Sequence, residues 1–223
     1  MTKTDQFKWT EQAHGDAYIL KERSYDCLFK SKTSLLPHDR WLDIGAHVGY
    51  FAVRIAPHVK FVLAVEPEPT NYRHLLENIE LNWANNVDSI RAAVVGRSQE
   101  TVELGLGKTF SYTHKVGHTR GRTHITVPTA NINGLVFEHR INKIKMDCEG
   151  MENSLLHVLD LNPIEEIILE WHFTLIPDPD WTLLRTRLYQ LTKAGFEIRR
   201  APVDLAKPTK RWTAIIWAKR KGT

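Results

Sequence analysis

Cysteine is nearly absent from this sequence: Cys27 and Cys148 are the two in 223 residues, and they stand 121 positions apart. Two thiols cannot build a disulfide framework or a four-thiolate zinc site, so reduced thiols are the expectation. Long apolar runs are missing as well. The longest, Phe61 to Val65 and Ala214 to Ala218, are five residues each, far short of the roughly 18 that cross a bilayer, and no membrane span is expected. The opening MTKTDQFKWTEQ has no apolar stretch behind its positive charge. A cytoplasmic protein without a secretory or transit signal is therefore the expectation. Charge of one sign is scarce too, because 30 basic residues face 26 acidic ones for a net +4, with 11 histidines. The excess gathers at His114, Lys115, His118, Arg120, Arg122 and His124, at Lys207, Lys210 and Arg211, and at Lys219 to Lys221. These clusters lack interleaved aromatics, so a solvated surface is the simpler reading and a nucleic-acid footprint the rival.

What is present is an ordinary globular composition, 42% hydrophobic and 25% charged, in a chain long enough for one buried core. Strand-length apolar runs alternate with helix-period segments, the pattern of a parallel sheet covered by helices. Strands are expected at 41–44, 61–66, 90–95, 141–147, 166–171, 196–199 and 213–218. Helices are expected after Gly49, after Thr70 as N-cap, after Gly150, and after Asp178-Pro-Asp180 with Gly195 as its stop. Between 101 and 127 the glycines Gly105, Gly107, Gly117 and Gly121 lie among two short alternating segments, which predicts an inserted hairpin or lid near 105–126. Residues 1–38 read as an appendage with a short strand at 17–20 and a helix near 26–36, and 39–223 as a single domain.

Ligands of open parallel sheets bind beyond the carboxyl ends of the strands, so the tips of the first strands carry the functional signal. The first strand ends Asp43-Ile-Gly45-Ala46-His47-Val-Gly49. This is G-x-x-x-G and not G-x-G-x-x-G, so the glycine that lets a pyrophosphate approach is missing. A carboxylate at the mouth of the loop would repel a pyrophosphate but attract the ammonium and sulfonium of S-adenosylmethionine. Glu66, 23 positions after Asp43, ends the second strand, where a carboxylate can accept both ribose hydroxyls. The bland alternatives are a plain strand-to-helix turn and a solvated loop acid.

Three segments in order, LDIGAHVGYF, VLAVEPEPTNYRHLLENIELN and KMDCEGMENSLL, resemble successive motifs of the FkbM-type methyltransferases over residues 41 to about 172. The resemblance implies an α/β class I methyltransferase fold: a seven-stranded, mostly parallel sheet with helices on both faces and a final antiparallel strand, supplied here by 213–218. It implies S-adenosylmethionine as cofactor, with Asp43, Gly45 and Gly49 around the methionine part, Glu66 and Pro67 at the ribose, and Ala92, Ala93 and Val94 near the adenine. Ala46, His47, Tyr50, Phe51 and Asp147 complete the candidate cofactor set. One departure stands out: where many members carry T-L-D-[DE]-L, this chain has Asn131-Ile-Asn133-Gly-Leu.

On the reacting side, Asp147-Cys148-Glu149-Gly-Met-Glu152 places three carboxylates at the end of the fourth strand. Like charges crowded in a partly dry site raise one another's pKa, which calls for a base or a metal. Asp147 is the first candidate for removing the acceptor's hydroxyl proton. Glu149 could instead cap the following helix, and Glu152 reads as structural. Glu170 and His172, two apart in a strand, share a face, and a carboxylate beside an imidazole suits a general base. Asp147, Glu149, Glu170 and His172 could alternatively hold a divalent cation such as Mg2+. Cys148 reads as a packing thiol. Amino-group methylation of bases commonly uses an Asn/Asp-Pro-Pro-aromatic motif where this chain has DCEG. The expected acceptor is thus a hydroxyl of a sugar, glycan or related small molecule. The rivals are a nucleic-acid acceptor gripped by the basic lid and a non-catalytic cofactor-binding module.

Overall fold

The computed structural model describes residues 7–10, 35–106, 115–116, 123–173, 181–200 and 213–223. In chain order the elements are β1 (Arg40–Ile44), α1 (Tyr50–Ile55) followed by a 3-10 turn (Ala56–His58), β2 (Phe61–Val65), α2 (Pro69–Leu81), β3 (Val87–Ile90) and β4 (Ala93–Val95). Next come β5 (Thr101–Gly105), β6 (Lys115–Val116), β7 (His124–Asn131), α3 (Ile132–Glu138), β8 (Lys143–Met146) and α4 (Glu152–Val158). The chain closes with β9 (Glu166–His172), α5 (Trp181–Lys193), β10 (Phe196–Arg200) and β11 (Thr213–Arg220).

Seven strands form the main sheet in the order β10-β11-β9-β8-β1-β2-β3. The pairs β1–β2, β2–β3, β1–β8 and β8–β9 are parallel, and β11 runs antiparallel to both β9 and β10. This is the expected sheet with its reversed strand. The order reverses between β1 and β8, so the crevice beyond their carboxyl ends is the topological switch point where ligands of such sheets bind.

Two-residue alternation divides the core between the two faces of the sheet. Leu42, Ile44, Leu63 and Val65 pack with Leu135 and Val136 of α3, Leu155 and Leu156 of α4, and Leu184, Leu188 and Leu191 of α5. Trp41, Val62 and Ala64 face the other way, onto Phe51 and Ile55 of α1 and Leu75 of α2. Each fully buried Leu or Ile contributes roughly 1.5–3 kcal/mol. At the amino ends of the same strands, Lys143 is buried with its Nζ 2.9 Å from Asp39 Oδ2 and 3.0 Å from Glu166 Oε2. None of the described helices is long and apolar enough to cross a membrane.

Several local expectations need correction. The third strand is two: β3 stays in the main sheet, while β4 joins a second sheet of order β4-β7-β5-β6. That sheet has its own small core of Ala93, Leu104 and Val127, which accounts for the break. The N-cap of α2 is Glu68, whose Oε2 accepts from the Asn71 N–H at 2.7 Å, with Pro69 in the first turn where its missing N–H costs nothing. Helix α3 was not expected; Asn131 caps it by accepting from the Gly134 N–H at 3.1 Å. The segment that departs from the family pattern is therefore a helix start. Antiparallel β5 and β7, with β6 beside β5, flank the expected hairpin or lid near 105–126; most of that segment, with its basic cluster, lies outside the described residues. So do Cys27, the strand at 17–20 and most of the helix near 26–36, although Leu35 and Leu36 are irregular. The Asp178-Pro-Asp180 cap is also outside; Gly195 ends α5 in a left-handed conformation, φ +90°, as expected.

Candidate active site

The loop after β1 is stitched to the end of β2. Val65 O accepts from the N–H of Gly45 at 3.0 Å and of Ala46 at 3.1 Å, and Gly49 N–H returns to Ala46 O at 2.8 Å. Glu66 completes the seam: its Oε2 accepts from the His47 N–H at 2.9 Å and its Oε1 from the Glu68 N–H at 3.0 Å. The Asn71 side chain bonds the same carboxylate. Burial outweighs these three bonds and pushes the Glu66 carboxyl up to about 7. A ligand hydroxyl is a donor that would favour its anion further. Glu66 keeps 5% of its surface exposed, whereas Asp43 is at 0%.

Asp43 and the glycines do something other than what their sequence context predicts. Asp43 does not present a free charge: it sits opposite Lys145 in the β1–β8 register, with Lys145 Nζ 3.1 Å from Asp43 Oδ1. The same ammonium donates to Gly45 O at 2.9 Å and stands 3.7 Å from Asp147 Oδ2. Burial still pushes the Asp43 carboxyl up against the pull of Lys145. A Cβ on Gly45 would lie 1.8 Å from the carbonyl oxygen of Asp147, and one on Gly49 2.7 Å from Leu75 Cδ1. Both glycines, at φ +75° and +91°, let protein approach protein, and the loops after β1 and β8 close on each other through Gly45. Tyr50 and Phe51 begin α1 and are buried in packing. Ala92 and Val94 belong to the main core and Ala93 to the small one.

His172, at the end of β9, gathers the reacting side. Its Nδ1 stands 3.0 Å from Glu152 Oε1, and its Nε2 faces Glu149 Oε1 at 3.7 Å, Asp147 Oδ1 at 3.9 Å and Glu170 Oε1 at 4.0 Å. Burial alone would lower the ring's pKa, but Glu152, then Glu149 and Asp147, more than reverse this and raise it to about 10. The ring is an imidazolium near neutral pH, so the reading of His172 as a ready general base is corrected. Glu152 is fully buried and structural: it accepts from the N–H groups of Cys148 at 3.2 Å and Gly150 at 3.1 Å. It fixes the turn ahead of the helix, which has no side-chain cap; Glu149, considered for that part, lies in this turn at φ +53°. Burial and then Glu152 push the Cys148 thiol up, consistent with a packing role. Asp147 is the more accessible carboxylate, its side chain 25% exposed against 21% for Glu149 and 13% for Glu170.

Three contributors were missed by sequence reasoning. Lys145 reads as one more residue of a buried strand, and only its register opposite Asp43 reveals it. Asn78, at 0% exposure, donates from Nδ2 to Val48 O at 2.8 Å and accepts the Thr10 N–H at 2.9 Å. It ties the glycine loop to residues 7–10, whose Trp9 packs on Tyr50. The third is the cap and hydrophobic spacing of α3, with Asn131 ahead of Ile132, Leu135 and Val136.

With this geometry in place, comparison with known proteins decides the family, because residues 43–198 match the Methyltransferase FkbM domain. The chain belongs to the FkbM methyltransferase family. The solved FkbM methyltransferase of Methylobacillus flagellatus KT superposes with a TM-score of 0.53 at 14% identity, over 81% of this chain and 44% of that one. The precorrin-6y C5,15-methyltransferase of Geobacter metallireducens GS-15 superposes at 0.54 and 14% identity, over 97% and 95% of the two chains. At these identities the likeness shows the fold. A curated relative, the tRNA(Phe) (4-demethylwyosine(37)-C(7)) aminocarboxypropyltransferase of Methanocaldococcus jannaschii, is 38% identical over 76 residues, 33% of this FkbM chain and 30% of the relative.

Proposed function

We propose that this FkbM chain transfers a methyl group from S-adenosylmethionine to a hydroxyl of a sugar, glycan or related small molecule, with 39–223 as one catalytic domain and 1–38 as its appendage. Glu66 is the observation that carries the cofactor assignment. It is a buried carboxylate, fixed by two backbone N–H groups and the Asn71 side chain at the tip of β2 beside the switch point, and a ribose hydroxyl is a donor that would favour its anion further. The cofactor, when bound, supplies an electrophilic methyl on a sulfonium. The chain supplies the rest. Glu66 orients the ribose, the Gly45–Gly49 loop fixes the nucleoside against β1, and Lys145 keeps the loop and Asp147 in one rigid unit. Asp147, adjoining the loop through Gly45 and open to solvent, orients the acceptor hydroxyl and takes its proton. His172, held by Glu152, keeps the carboxylates in place.

A hydroxyl acceptor is favoured by Asp147 and Glu149 standing where a base-methylating enzyme would display an amide and prolines. The second reading, a nucleic-acid acceptor, is favoured by the curated relative, whose name places it on tRNA(Phe). Calorimetry with S-adenosylmethionine on wild type and Glu66→Ala tests the cofactor role; unchanged affinity in the variant would remove it. A methyl-transfer screen over glycosides, nucleotide-sugars and oligonucleotides separates the acceptors. Incorporation into oligonucleotides alone would replace the sugar reading.

A further inference from the structure

Residues 7–10 lie across α2 and are fastened by two of its amides. Asn82, at the carboxyl end of the helix, accepts the Lys8 N–H at 2.8 Å and donates from Nδ2 to Lys8 O at 2.7 Å. One side chain thus satisfies both backbone groups of Lys8, as a neighbouring strand would. One turn earlier, Asn78 accepts the Thr10 N–H at 2.9 Å. Lys8 is exposed, while Trp9 is buried edge-on against Tyr50, with ring centroids 4.6 Å apart and Phe7 beside it. Trp9, Val48, Tyr50 and Val53 form a hydrophobic cluster distinct from the cores on the two faces of the sheet. Trp9 Nε1 makes no hydrogen bond among the described residues, so the indole serves there as packing.

Through Val48 this cluster reaches the cofactor crevice. Val48, at 0% exposure, stands between His47 and Gly49. His47 is held at φ +52°. For a non-glycine residue this left-handed region is a strained conformation that persists only where its surroundings enforce it. Those surroundings are Trp9, packed with Val48 and Tyr50, and Asn78, whose Nδ2 donates to Val48 O at 2.8 Å. The strained residue is also the one whose N–H lies 2.9 Å from Glu66 Oε2. Building on the cofactor assignment to Glu66, we propose that residues 7–10 are a strap that sets cofactor affinity, with Trp9 as a positioning residue acting through Val48 and His47 on Glu66. Coupling of this kind is reciprocal: the factor that the docked strap adds to cofactor affinity is the factor that bound cofactor adds to strap docking.

Calorimetric titration of the full-length protein with S-adenosylmethionine, read together with hydrogen exchange at the Lys8 and Thr10 amides, tests the strap. Trp9→Ala is expected to weaken cofactor binding about tenfold while one cofactor still binds per chain, because lost positioning changes affinity whereas lost folding changes the number of sites. Trp9→Phe, which keeps an aromatic ring and gives up only an N–H that bonds nothing described, should recover most of that loss. Asn82→Ala removes an amide that bonds the strap and its own helix. It should weaken binding in the same direction, and it keeps the test valid should Trp9→Ala not fold. In wild type, added cofactor should slow exchange at Lys8 and Thr10. Undiminished affinity in both Trp9→Ala and Asn82→Ala, or exchange at Lys8 and Thr10 that ignores the cofactor, overturns the strap while wild-type binding leaves the transferase reading standing. A wild type that binds no S-adenosylmethionine removes the transferase reading, and the strap's role in affinity with it.

Discussion

Asp43 and Lys145 are cross-strand neighbours at the carboxyl ends of β1 and β8, paired in register and joined by a 3.1 Å ion pair. The ammonium bridges three elements, since it also donates to Gly45 O and faces Asp147. The loop after β1 and the Asp147 carboxylate are thus anchored to one buried cation.

That pairing makes a directional prediction. Lys145→Met removes the counter-charge and leaves Asp43 buried and uncompensated, which should cost about 3–5 kcal/mol in chemical denaturation. Asp43→Asn combined with Lys145→Met removes both charges and should recover more than half of the loss. A double variant as unstable as the single one would mean that the pair does not act as a unit.

The glycines separate in the same way. Alanine at position 45 would place a methyl 1.8 Å from backbone at Asp147, which cannot yield without parting β1 from the β8 loop; at position 49 the obstacle is the flexible end of Leu75, at 2.7 Å. Gly45→Ala is expected to lower the melting temperature more than Gly49→Ala, whose cost should be the backbone strain of about 1–3 kcal/mol. Thermal unfolding of the two variants side by side checks the order.

How much of this was legible beforehand depends on the range of the interaction. Strand positions, the final antiparallel strand and the carboxylate-bearing tips follow from apolar periodicity and motif order, because each is a property of a few consecutive residues. Glu66 and Asp147 could be placed for that reason. The partner of Asp43 could not, since Lys145 becomes its neighbour only through strand register across a hundred residues. Its charge was read as available to a ligand when it is already answered. The state of His172 was hidden in the same way: Glu170 is visible two residues away in sequence, but the decisive carboxylate is Glu152, brought in by the turn after β8. The split between β3 and β4 eluded periodicity because both halves are apolar and only their pairing partners differ.

Glu66 gives a pH signature with a definite sign. Its carboxyl rises from 4.5 to about 7 on folding, so the folded chain holds a proton that the unfolded one releases. Below pH 4.5 the group contributes nothing to the pH dependence, and as pH rises from there to 7 the ligand-free protein loses up to about 3 kcal/mol. A ribose diol binds the anion, so S-adenosylmethionine should bind about tenfold more tightly at pH 8 than at pH 6. Glu66→Gln should bind weakly and without this slope. A wild-type affinity flat across the interval would contradict the assignment.

Asn78 joins elements distant in sequence through one amide, with its donor side on Val48 O and its acceptor side on the Thr10 N–H. Asn78→Ala leaves both backbone groups without that partner and should cost about 2–4 kcal/mol. The finer test is Asn78→Asp, which keeps an acceptor for Thr10 but loses the donor to Val48. Hydrogen exchange should then remain slow at the Thr10 amide and quicken at Gly49 and Val53, whose N–H groups bond within the loop and into α1. Cofactor affinity should fall with it, because the loop is held from its far side by this bond. Equal quickening at Thr10 and Val53 would mean that residues 7–10, and not the amide itself, steady the loop.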